Sequence, residues 1–269
     1  MKRTSKIELY IILSAIILSL IVLALFWGLN REEPPKSKLS DTSPTTLSES
    51  PDFEATTASI ETEQSPVKPQ GLAKLTEPTT VRALILGDSV AESLGASNKG
   101  LSSWYTLVAN DLRSKHPGTF QWNFKTTNKT TIEDALKYLP EVTQDTDLII
   151  LCLGRNDWAT LTTNDFKQKY EQLLAELKIK SPNASVFLVV EPPVKTIATN
   201  NKSFPYRQVI LDLGKTHQIS VIDGWTAFIN DPTPLKELLA DAVNPNDKGY
   251  RVFANEVLKK FNEALALQR

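Results

Sequence analysis

The sequence predicts a single doubly wound α/β domain on a five-stranded parallel sheet, preceded by an N-terminal transmembrane helix and a disordered linker. Three observations predict it. Residues 9–29 carry no charge, residues 30–78 are rich in Pro, Ser, Thr and Glu, and residues 79–269 alternate apolar runs with stretches of helical character five times.

The run from Leu9 to Leu29 is 21 residues long. As a helix it spans about 31 Å, against a hydrocarbon core of about 30 Å. Lys2, Arg3 and Lys6 precede it and Arg31, Glu32 and Glu33 follow, so the positive-inside bias places the N-terminus in the cytoplasm and everything after residue 29 outside. A cleaved signal peptide would have a shorter apolar core and a small-x-small cleavage site, which Ala24-Leu25-Phe26-Trp27 does not supply. The reading is a signal-anchor in a single-pass cell-membrane protein, with residues 1–29 as cytoplasmic N-terminus and membrane segment.

Seven of the 16 prolines fall in residues 30–78, together with nine acidic and five basic side chains and no Trp or Tyr. Such a segment buries too little apolar surface to offset its ordering entropy and is expected to act as a tether. As a flexible coil it would span roughly 35–40 Å root-mean-square.

Residues 79–269 are enough for one domain with a substantial core. Val81–Leu86, Leu148–Leu153, Val186–Val190 and the shorter Ile219–Ile222 read as buried parallel strands, and Phe120–Phe124 as a weaker alternating one. Helical character lies near Ser102–Ser114, Ile132–Tyr138, Asp165–Ile179, Tyr206–Thr216 and Asp247–Ala266, and the stretch from Glu191 to Phe204 reads as a long loop bordering a cleft. Alternation of this kind implies a flavodoxin-like layout, whose binding sites form beyond the carboxyl ends of the strands.

Composition narrows the chemistry. With 30 basic and 31 acidic residues the net charge is −1, so no nucleic-acid partner is expected. One cysteine, Cys152, allows no intrachain disulfide and reads as a buried strand residue. The two histidines, His116 and His217, both precede strands and therefore belong at the amino edge, away from the site. Neither a metal nor a cofactor is expected, and the chemistry falls to oxygen groups.

Three loops at carboxyl ends carry such groups. Gly87-Asp88-Ser89 follows the first strand, where the glycine permits a sharp turn and Ser89 stands near the start of a possible helix, a position suited to a nucleophile. Gly154-Arg155-Asn156-Asp157 follows the third, where the Asn156 amide can donate to an oxyanion and Asp157 can fix the loop through its backbone. The turn-rich stretch Asp241-Ala242-Val243-Asn244-Pro245-Asn246-Asp247-Lys248-Gly249-Tyr250 opens the last helix, and Asp241 can orient the polar side chain three residues on. Trp104, Trp158 and Trp225 read as packing, although they could line a sugar or acyl pocket.

Taken in order, the three blocks resemble the SGNH hydrolases, also called the GDSL esterase/lipase family, over essentially the whole domain. The resemblance implies that Ser89 is the nucleophile and that its own N–H, the N–H of Asn128 and the amide of Asn156 form the oxyanion hole. It implies that Asp241 orients the base, with Gly87, Asp88, Gly154 and Asp157 in support. Two positions depart from the pattern. Asn128 stands where the family has glycine, which asparagine suits through its tolerance of left-handed backbone. Asn244 stands where the family has the histidine that takes the serine proton, and an amide is neither acid nor base near neutral pH. Asp241 acting through water, its pKa raised by burial, is one escape, and a substrate group taking the proton is another. The resulting expectation is a membrane-anchored, extracytoplasmic serine esterase or acyl hydrolase acting on an acylated small molecule or cell-envelope glycan. A catalytically impaired binding module and an acyltransferase are the alternatives, and the oligomeric state is not legible.

Overall fold

The computed structural model describes residues 68–267. The apolar run at 9–29 lies outside them, as does most of the segment at 30–78. Among the described residues no helix is long and apolar enough to cross a membrane.

Five parallel strands form one sheet in the order β2-β1-β3-β4-β5: β1 (Thr80–Gly87), β2 (Thr119–Thr126), β3 (Leu148–Cys152), β4 (Ser185–Val190) and β5 (Ser220–Asp223). β3 is buried at every position. That explains why it reads as an unbroken apolar run, whereas β2, at the edge, alternates exposed and half-buried residues. Among the described residues, six α-helices of six residues or more cover the sheet: α1 (Trp104–Arg113), α2 (Ile132–Lys137), α3 (Thr163–Lys180), α4 (Ile197–His217), α5 (Gly224–Asn230) and α6 (Asp247–Ala266). Alternate β1 residues feed two cores. Val81, Ala83 and Ile85 pack with α1, α5 and α6 on one face, while Leu84 and Leu86 pack with α2, α3 and α4 on the other. The chain leaves β1 for β2 on one side and returns to β3 on the other, so the switch point, where such sheets build their sites, falls between the ends of β1 and β3.

Local chemistry sets the helix boundaries. Thr131 and Asp134 form a reciprocal capping box at α2, and the Asn246 side chain accepts the Lys248 and Gly249 N–H groups at the start of α6.

Three expectations change. Residues 71–76, assigned by composition to the tether, form a buried 3₁₀ segment: Leu72 and Leu75 enter the core, and Gly118 N–H donates to the Leu75 carbonyl. The domain therefore begins before residue 79. The expected loop from Glu191 to Phe204 is mostly helix, because α4 starts at Ile197 and runs through Pro205. An interior proline costs about 3 kcal/mol in helix propensity. Burial of Tyr206, Ile210 and Leu213 offsets that cost, and Asn200 braces Val194 through both its N–H and its carbonyl. Finally, no regular helix follows Ser89. Residues 89–95 form consecutive turns, with Ser93 in the left-handed region at φ 58°.

Candidate active site

The loop after β1 depends on close backbone approach. A Cβ on Gly87 would lie 2.8 Å from the Cys152 carbonyl oxygen, so a side chain there would push β1 and β3 apart. Asp88 follows, wholly buried, and its Oδ1 accepts the Val90 N–H at 2.9 Å. Ser89 is 5% exposed. None of the described residues accepts its N–H, which stays free for a developing oxyanion. Trp104 secures the following turns, its indole N–H donating to the Ala91 carbonyl at 2.9 Å. That is the packing role expected of it.

At the end of β3 the chain turns at Gly154, with φ 113°, a conformation that side chains rarely adopt. Asp157 then fixes the loop by accepting the Gly154 N–H at 3.1 Å and the Ile132 N–H at 2.8 Å. Burial pushes its carboxyl up to about 6, against those two hydrogen bonds. As pH rises from the ordinary value of 3.8 toward 6, the unfolded chain gives up this proton before the folded one does, so stability falls. The loss totals about 3 kcal/mol, of which about 1 kcal/mol falls between pH 5 and 7. Buried Glu191 adds to the same trend. Urea unfolding should therefore show the parent chain more stable at pH 5 than at pH 7, with Asp157→Asn shrinking that difference by about 1 kcal/mol. An unchanged difference would remove Asp157 as its source.

The loop before α6 brings Asp241 and Asn244 to Ser89. Asp241 Oδ1 accepts the N–H groups of Val243 and Asn244, each at 2.7 Å, and Oδ2 accepts the Asn244 amide at 2.9 Å. Because the amide nitrogen is committed to a carboxylate, the carbonyl side of Asn244 must face the serine, and it accepts the Ser89 hydroxyl proton at 2.7 Å. Ser89, Asn244 and Asp241 thus form the hydrogen-bonded chain of a serine triad with an amide in the imidazole's place. The Tyr250 hydroxyl braces this loop against the first by donating to the Leu94 carbonyl at 2.6 Å.

Asp241 is not the raised-pKa base considered above. Burial pushes its pKa up, but the Asn244 and Val243 hydrogen bonds outweigh it and hold the carboxylate below its ordinary value. Asn156 reaches the site with its amide occupied, donating to Asp88 at 2.9 Å and to the Thr130 carbonyl at 3.3 Å. To serve an oxyanion it must exchange one of these partners. Asn128 sits in an exposed turn after β2 and does not use left-handed backbone, so the tolerance that singled it out is not called upon.

Sequence reasoning missed Arg155. Its side chain is 8% exposed and lies between two buried carboxylates, donating to Asp88 and placing Nε 2.9 Å from Glu191 Oε2. Glu191, at the end of β4, is pushed well above the ordinary carboxyl value by burial, and Asp88 adds to the shift while Arg155 opposes it. Asp88, Cys152 and Glu191 come within 4.8 Å of one another, but a cation there would compete with the guanidinium that already neutralises the carboxylates. The available signal was a charged residue, Arg155, between two site residues, and another, Glu191, directly after an apolar strand at the same edge.

Hollows of about 890 and 530 Å³ lie at the opposite, amino edge, where His116 lines the first and His217 the second. Both histidines are thus remote from Ser89, as expected. Beside Glu191 lies a cavity of about 20 Å³, lined in part by Gly154, Arg207 and Trp225.

Solved structures share this architecture. A lipase/acylhydrolase from Enterococcus faecalis is 20% identical, with a TM-score of 0.57 over 68% of this chain and 96% of that one. An acetylxylan esterase from Geobacillus stearothermophilus is 16% identical, with a TM-score of 0.56 over 67% and 93%. The psychrotrophic esterase EstA from Pseudoalteromonas sp. is 15% identical, with a TM-score of 0.56 over 69% and 99%. At these identities the likeness speaks for the fold alone. None of the curated proteins matches the sequence. The model of the GDSL-like lipase/acylhydrolase family matches residues 85–252, from within β1 to the start of α6, and so takes in the loops that carry Ser89, Asn156 and Asn244. The chain belongs to the GDSL-like lipase/acylhydrolase family.

Proposed function

We propose that the protein is a serine ester hydrolase of low intrinsic turnover that works through an acyl-Ser89 intermediate. The observation that carries this reading is the hydrogen-bonded chain Ser89–Asn244–Asp241 at the switch point of the sheet. A carboxylic ester is the substrate class, and an acyl group on a cell-envelope glycan is the narrower reading. Two things support the narrower reading: the uncharged run at 9–29, which suits a domain held outside the cell membrane, and the acetylxylan esterase among the structural neighbours, whose name denotes an acetylated polysaccharide.

The test is hydrolysis of p-nitrophenyl acetate by the full-length chain in detergent, alongside Ser89→Ala. The parent should turn over slowly and S89A should fall to background, with an acetyl group recovered on the Ser89 peptide of the parent by mass spectrometry. Equal rates for the two would remove Ser89 from the chemistry. A second reading, a ligand-binding module, is favoured by Asn244, which holds the serine proton without being able to remove it. That reading predicts no turnover by the parent and undiminished ligand binding by S89A.

A further inference from the structure

Ser89 Oγ has two polar neighbours on separate loops. Asn244 Oδ1 accepts its proton, and Arg155 Nη2 donates toward the oxygen at 3.4 Å. The guanidinium also touches Asp88, Glu191 and, at 3.4 Å, the Val243 carbonyl, so it holds together all four loops that meet at the site. Asn156, the donor that the family pattern would supply, has its amide on Asp88 and Thr130.

We propose that Arg155 is a catalytic residue of this chain, its guanidinium stabilising negative charge on Ser89 Oγ so that the serine loses its proton to hydroxide rather than to an imidazole. This rests on the esterase reading above. Hydroxide takes the Ser89 proton and becomes water. The alkoxide forms a bond to the acyl carbon, the bond from that carbon to the alcohol oxygen breaks, and the departing alkoxide takes a proton from water. Hydroxide then attacks the acyl-serine, the bond from the acyl carbon to Ser89 Oγ breaks, and the proton of the new carboxylic acid passes to the serine oxygen, leaving the carboxylate and the Ser89 hydroxyl. Other charged and titratable groups around the guanidinium leave this role open. Asp88 and Glu191 pair with it, Glu191 pushed above its ordinary value by burial, and burial pushes Cys152 and Tyr250 up as well. Ionised Asp241 is separated from Ser89 by the Asn244 amide. What the serine oxygen meets is the positive end of a buried ion pair.

The experiment is covalent labelling of Ser89 by a fluorophosphonate probe between pH 6 and 9, read by mass spectrometry on the full-length chain. Four forms are compared: the parent, R155Q, N244H and N244H/R155Q. The parent rate should climb about tenfold per pH unit, as expected for attack by an alkoxide made by hydroxide. R155Q should slow it about 100-fold, the scale of losing one donor to a developing oxyanion. In N244H the rate should level off near pH 7, and R155Q should then cost less than tenfold, because the imidazole takes the proton as the bond forms. A purely structural arginine would cost the same in both backgrounds, and that result overturns the proposal, as does a parent rate indifferent to R155Q. If R155Q does not fold, R155K decides: labelling within tenfold of the parent supports the role of charge, and a 100-fold loss refutes it. Absence of labelling in both the parent and N244H sinks the esterase reading itself, and the arginine's role with it.

Discussion

Asn244→His is expected to raise the turnover of a small acyl ester by about 10²–10⁴-fold at neutral pH, the usual worth of a positioned general base. The site is already arranged for one. Asp241 holds the side chain at position 244 through its Oδ2, and that side chain meets Ser89 Oγ at 2.7 Å. An imidazole in the same place would donate from one nitrogen to Asp241 and accept the serine proton on the other. It reaches farther than an amide, so the loop must recede slightly. The brace from Tyr250 to Leu94 sets how far it can do so. Kinetics on p-nitrophenyl acetate check the gain, which should be absent from N244H/S89A and should titrate with a midpoint near 6.5. A gain below tenfold would mean that the loop does not present a base to Ser89.

Asp88→Ala should lower folding stability by about 3–5 kcal/mol, the range for breaking a buried ion pair from one side. Asp88 is wholly buried and accepts from the Val90 N–H, the Arg155 guanidinium and the Asn156 amide. Its loss strands two donors and leaves Arg155 with Glu191 alone. Glu191 still pairs with the guanidinium, so part of the loss should be offset by that carboxyl group. Urea unfolding at pH 7 measures the cost. The double variant D88A/E191Q should fall by more than the two single changes added together, because no carboxylate then remains for the arginine. A loss under about 1 kcal/mol in D88A would show that the cluster contributes little to the fold.

What was legible in the sequence follows from how local each signal is. β3 reads as a strand because every one of its residues is buried, and α6 begins where the turn-rich loop ends, at the cap formed by Asn246. Ser89 and Asn156 were legible because strand-to-helix loops place their residues at a sheet edge whatever the remaining packing, and Asp241 because its turn-rich loop leads directly into α6. The start of α4 was hidden because Pro205 and the polar residues Thr199–Ser203 argue against helix, and contacts with Leu161 and Val194 override that preference. Arg155 escaped notice because its partners Asp88 and Glu191 are distant in sequence, and no local pattern records the pairing. The direction of the Asp241 shift depends on two backbone N–H groups and one amide converging on a single carboxylate, which spacing alone does not specify.

The packed 3₁₀ segment at Gly71–Thr76 has a consequence for how the domain is presented. It lies against the starting ends of the strands: Leu72 N–H donates to Ser185 Oγ, and Lys74 pairs with Asp147 just ahead of β3. Lys68 and Leu265 line the same hollow there, so the polypeptide enters and departs at one pole. The described chain therefore starts and finishes at one pole of the sheet, and Ser89 lies at the other, beyond the carboxyl end of β1.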